Sequence, residues 1–112
     1  MSLPDYNGWV NYPTWVVNLW LENEEGSYHC WRKRTQEIFN EAEADDVSSK
    51  QQVALRALAE ELKNEHEENM PEVTGVYADL LTWALGYVEW LDIAEHSLEE
   101  REDDPEETDH EE

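Results

Sequence analysis

Carboxylates dominate the residues of this chain that could do chemistry: 29 Asp and Glu stand against 7 Lys and Arg. Paired carboxylates can move protons, hold cations or imitate phosphates. Where they are this common, a pair by itself says little about catalysis. The four histidines, His29, His66, His96 and His110, are scattered, and Cys30 is the single cysteine. On a helix His29 and Cys30 point to different faces, so they do not chelate together. No CxxC, HxxxH or HExxH spacing occurs. Glu65-His66 and Glu95-His96 could reach further ligands only through tertiary folding. The tail segment DDPEETDHEE lacks the glycine and the ligand spacing of a calcium loop. No nucleophile elbow or P-loop is present, and four glycines leave little material for a phosphate-cradling loop. The sequence is therefore read as having no catalytic residues, no metal site and no cofactor. It reads as a binding protein and not an enzyme.

The chemistry that remains is that of the charge pattern. The net charge is −22, which opposes direct nucleic-acid binding, because phosphate contacts need clustered Lys and Arg. Acids one or two helical turns apart lie about 5–11 Å from each other, a spacing suited to standing in for a row of phosphates. Glu37-Glu41, Glu61-Glu65 and Glu61-Glu68 have it. Glu37, Glu41, Glu61, Glu65 and Glu68 are thus the candidate partner-binding residues. The partner they fit is the basic groove of a DNA- or RNA-binding protein. The plainer account of the same residues is a solvated acidic face. A second setting that explains the charge is a high-salt cytoplasm, in which acidic surfaces stay hydrated and repulsion is screened. The low lysine count (Lys33, Lys50, Lys63) fits it, while the excess of Glu over Asp, 21 against 8, does not help it.

These residues need elements to carry them, and a chain of 112 residues fits one domain. Pro4 and Asn7-Gly8 are turn signals, so the first ten residues are expected to form an extended arm. Asn11 caps a helix that Pro13 is able to enter, and Gly26 is expected to close it in a left-handed conformation. Ser27 opens a second helix, with Tyr28, Trp31, Thr35, Ile38, Phe39 and Ala42 facing inward. A third runs from about 49 to 66, with Val53, Ala54, Ala57, Leu58 and Leu62 on its apolar side. A fourth, capped by Thr74, extends to about 100 along Val76, Leu80, Trp83, Tyr87, Leu91 and Leu98. The last 14 residues hold ten acids and one base, the composition of a disordered tail. The expected architecture is all-α: a compact bundle of about four helices over residues 1–98, with the tail at 99–112.

The six tryptophans are Trp9, Trp15, Trp20, Trp31, Trp83 and Trp90. Helical spacing assigns most of them to the core. The expected core set is Trp15, Leu19, Trp20, Trp31, Phe39, Leu58, Trp83, Tyr87 and Leu91. Trp9 or Trp90 is the expected exception, an exposed anchor for a partner. Helix four is apolar on more than one side, which leaves room for a homodimer.

No signal peptide is visible, no run approaches the ~20 apolar residues of a membrane helix, and a lone cysteine excludes an internal disulfide. The expected location is the cytoplasm, or a host's cytoplasm for a phage-encoded chain.

The stretch NYPTWVVNLWLENEEG at residues 11–26, followed by Tyr28 and Trp31, resembles a family of small uncharacterised proteins. They are found in phages, plasmids and some archaeal genomes and share the pattern N-Y-x-T-W-x-V-x-L-W-x-x-N-E-x-G. The resemblance covers about the first 30 residues and brings no catalytic residues with it. It implies a mobile-element setting, where small acidic proteins disarm host nucleases or repressors, sometimes by mimicking DNA. The combined reading is an acidic DNA mimic of anti-restriction or anti-CRISPR type. Its rival is a salt-adapted helical domain with an assembly role and no mimicry.

Overall fold

The computed structural model describes residues 8–102, and they fold into five α-helices with no strand among the described residues. The helices are α1 (Tyr12–Asn23), α2 (Glu25–Glu41), α3 (Lys50–Glu68), α4 (Val76–Gly86) and α5 (Trp90–Glu102). Among the described residues, no helix is long and apolar enough to cross a membrane. Most of the expected N-terminal arm and residues 103–112 of the expected tail lie outside the described residues. Residues 99–102, expected in that tail, continue α5.

Local signals set several helix starts. The Asn11 side chain accepts the Thr14 N–H at 3.0 Å, and Pro13 sits in the first turn of α1. Ser49 and Gln52 form a capping box at the start of α3. In the loop before α3, the Asp45 carboxylate accepts the Val47 and Ser48 N–H groups, which holds its pKa below the usual carboxylate range. The α1–α2 boundary differs from expectation. It falls at Glu24, whose extended backbone separates the two helices, and Gly26 lies inside the first turn of α2.

The centre of the fold is the packing of α3 against α5. Leu58, Leu62, Ile93 and Leu98 are fully buried there, together with Ala54 and Ala94. Full burial of such a side chain contributes about 1.5–3 kcal/mol, so these two helices hold most of the core. From α1 and α2 the core takes Leu21 and Ile38, with Val17, Trp31 and Phe39 half-buried against it. The α3–α5 core also packs Trp90 and Val88.

The helix expected over 74–100 is two helices, broken at residues 87–89. Tyr87 and Val88 turn their N–H groups back to Ala84 and Leu85, tightening the end of α4. The Glu89 N–H then lacks a helical acceptor, and the Thr14 hydroxyl supplies one at 2.9 Å. Asn11 donates to the Tyr87 carbonyl at 2.8 Å. The start of α1 therefore stitches the break shut, and α4 has no fully buried residue, with Leu85 packed against the core.

That arrangement overturns five of the expected core positions. Leu19, Trp20, Trp83, Tyr87 and Leu91 are exposed, Trp20 at 65%. For α1 the reason is that the side turned inward is Thr14, Val17, Asn18 and Leu21, a stripe one position out of step with the aromatic one. Trp83 and Tyr87 are exposed because α4 has no buried residue, and Leu91 lies on the outer side of α5. Trp15, Trp31 and Phe39 are half-buried and Leu58 is fully buried. The exposed tryptophans are Trp20 and Trp83, not Trp9 or Trp90: Trp90 is buried against the His66 ring and Trp9 packs on the core.

Candidate functional site: an acidic seam and an uncovered helix

The α2 and α3 helices run antiparallel through the short loop at residues 42–49, and Lys50 at the start of α3 donates to the Ala42 carbonyl just past the end of α2. Midway along, Arg34 joins them. Its Nε donates to Glu61 Oε1 at 2.8 Å, its Nη2 to Glu61 Oε2, and its Nη1 to Glu37 Oε1 at 3.1 Å. The bidentate bond from Arg34 holds the Glu61 carboxyl below its usual range. Glu37 and Glu61 together push the pKa of the guanidinium up further.

One consequence is geometric. Because Arg34 reaches both Glu37 and Glu61, these two carboxylates face the same side. Helical periodicity carries that side on to Glu41, one turn from Glu37, and to Glu65 and Glu68, one and two turns from Glu61. The five candidate residues therefore follow one seam in the order Glu41, Glu37, Glu61, Glu65, Glu68. They are not equivalent. Glu37 and Glu61 share a cation, Glu65 accepts a hydrogen bond from the Asn69 amide at 2.9 Å, and Glu41 and Glu68 are exposed. Three other bases serve helix ends and rings. Lys50 serves the Ala42 carbonyl and sits over the Phe39 ring, Arg101 stacks on Phe39 at 3.8 Å, and Arg56 donates to Ser48.

A second surface is the outer face of α4. Val76, Leu80, Trp83 and Tyr87 recur at helical spacing and are all exposed, with Tyr77 beside them. The Trp83 and Tyr87 rings stack at 4.4 Å. The helix carries one charge, Asp79, in a chain of −22. At about 200 Å² per aromatic side chain, Tyr77, Trp83 and Tyr87, exposed at 68%, 58% and 51%, present roughly 350 Å² between them. A patch of that size matches the largest apolar patch of an ordinary monomer, which is often functional.

A third grouping was not legible in the sequence. The His96 Nε2 lies 2.9 Å from a Glu22 oxygen and 3.2 Å from a Glu100 oxygen. Glu95-His96 stood out as adjacent residues, whereas the structure pairs His96 with residues 74 positions back and one turn ahead. The available signal was the one-turn spacing of Asn18 with Glu22 on α1 and of His96 with Glu100 on α5. Among the carboxylates of the described residues His29 meets only Glu25, at 3.8 Å on its own helix, and Cys30 is exposed.

A family model for a family of unknown function, DUF7249, matches residues 2–102. The chain belongs to that family. As a member of DUF7249 it carries the asparagine–threonine clamp, the acidic seam and the uncovered helix all inside the matched span. No curated protein and no solved structure matches the chain.

Proposed function

We propose that this DUF7249 member is a binding protein that presents carboxylates to the basic groove of a DNA- or RNA-binding protein. It acts as a DNA mimic in a mobile-element setting. The observation that carries the reading is the seam from Glu41 to Glu68. Two antiparallel helices at about 1.5 Å per residue give it a length of roughly 20 Å. Five carboxylates over that length is about one per 5 Å, against one phosphate per 3.4 Å of axis along a single DNA strand. Arg34 lowers the charge at the middle of the row and holds the two helices in register. Steered association with a cationic groove would be fast and salt-sensitive.

The test is capture from a cell lysate on immobilised protein at low salt, followed by elution with duplex DNA. The reading expects nucleic-acid-binding proteins that duplex DNA releases, and their loss with the E41Q/E65Q/E68Q variant. Undiminished capture by that variant would end it.

The uncovered face of α4 favours a second reading, a salt-adapted domain with an assembly role and no mimicry. The occupant it fits is a second copy of the chain. The helix carries one charge, Asp79, so two copies meet there with little repulsion. Sedimentation at high salt tests it, with a monomeric wild-type chain as the failing result.

A further inference from the structure

We propose that Glu22, His96 and Glu100 form a binding site for one divalent transition-metal ion that clasps α1 to α5.

The donors are one imidazole nitrogen and two carboxylate oxygens, and all three ligand atoms lie within 4.8 Å of one another. Around an ion with bonds of about 2.0–2.2 Å, neighbouring ligand atoms in octahedral or tetrahedral arrangements lie about 2.8–3.6 Å apart. The two separations from His96 Nε2, 2.9 and 3.2 Å, fall at that spacing. The imidazole is also fixed. The Trp9 indole meets it edge-on with ring centroids 5.3 Å apart. The ligand side chains are between a third and two-fifths exposed, so waters can complete the coordination.

A second observation points the same way. Asn18 is 6% exposed, one turn before Glu22 on α1, and its amide makes no hydrogen bond among the described residues. It borders a cavity of about 30 Å³ whose lining includes Glu22 and Glu100 together with Arg32 and Arg101, and not His96. That is room for a water molecule, which needs polar partners to stay. A water there would find partners in the Asn18 amide and in the Glu22 and Glu100 carboxylates that would hold the ion. Two helices thus contribute two residues each at one-turn spacing, the pattern by which helical bundles build internal metal sites. The mixed nitrogen and oxygen set suits Zn²⁺ above Ca²⁺ or Mg²⁺, which take oxygen ligands.

Zn²⁺ is the probe, titrated calorimetrically into chelator-treated full-length protein at neutral pH, with Ca²⁺ to gauge general attraction of cations to an acidic surface. The expected result is one Zn²⁺ per chain, bound at least tenfold more tightly than Ca²⁺, with a rise in melting temperature. H96Q and E22Q should each lose at least tenfold in Zn²⁺ affinity, and H29Q, on another helix face, should lose none. Histidine-selective NMR of the unaltered chain reads the site without any variant: one imidazole should shift on adding Zn²⁺. Weak binding with no preference over Ca²⁺, equal affinity in wild type and H96Q, or no imidazole shift would each overturn the assignment.

Discussion

The Thr14 hydroxyl accepts the Glu89 N–H at 2.9 Å across a separation of 75 residues. The same hydroxyl donates to Asn11 Oδ1 at 2.7 Å, and the Asn11 amide donates to the Tyr87 carbonyl. One asparagine and one threonine therefore cap α1 and satisfy the backbone where α4 gives way to α5. T14V keeps the shape and removes the acceptor, leaving a backbone donor without a partner. It is expected to cost about 1–3 kcal/mol in urea unfolding, and T14S to cost less. N11A loses a cap, at about 0.5–2 kcal/mol. The double variant should fall short of the sum, because the two residues share a bond. Additive losses would show that the two side chains act separately.

The burial pattern makes a contrast that thermal or urea melts can read. L58A opens the α3–α5 core and should cost about 2–5 kcal/mol. W83A and W20A remove large side chains that solvent already reaches, and each should stay within about 0.5 kcal/mol of wild type. A large loss from W83A in dilute solution would place the Trp83 side of α4 against the bundle.

Self-association through α4 should respond to charge placed on its outer face. L80E is expected to leave the melt of the monomer nearly unchanged and to abolish dimers seen by sedimentation. A dimer that persists in L80E would move the interface elsewhere.

The Arg34–Glu61 pair has a pH signature. Its side chains are 35% and 41% exposed, so at neutral pH the pair is worth about 0.2–1 kcal/mol. Glu61 sits below its ordinary value of 4.5 because Arg34 donates to it. The unfolded chain therefore binds that proton more tightly than the folded one. The contribution is complete above about pH 4.5 and disappears as the pH falls through the lower folded value. The stability gap between wild type and E61Q should be open at pH 7 and close as the pH falls below the ordinary value of 4.5 and on through the lower folded one. A gap that is flat with pH would remove the pair from the stability of the fold.

Salt should act in opposite directions on folding and on capture. Screening a net charge of −22 should raise the melting temperature between low and molar salt, while weakening capture of a basic partner over the same range. Capture that strengthens with salt would favour association through the apolar face of α4.

Residues close together in sequence were sufficient for what is local. Asn11 and Pro13 at the start of α1, and Ser49 with Gln52 at the start of α3, act within one turn, so their chemistry determines helix starts wherever the helices later pack. The same holds for the all-α class, which follows from 3.6-residue periodicity. Residues 76–98 show the limit. Their apolar spacing is continuous, yet the chain breaks at 87–89 because Thr14 and Asn11, far away in sequence, can satisfy the backbone exposed there. Likewise α1 offers an aromatic stripe and a mixed one, and the core took Thr14, Val17, Asn18 and Leu21, since only that side serves both the break and the α3–α5 core. The acidic seam was half visible: one-turn spacing gave each row, and Arg34 decided that the rows share a side. The meeting of Glu22 with His96 was decided by tertiary structure alone, because helix periodicity fixes where side chains point around one axis and says nothing of which axis lies opposite.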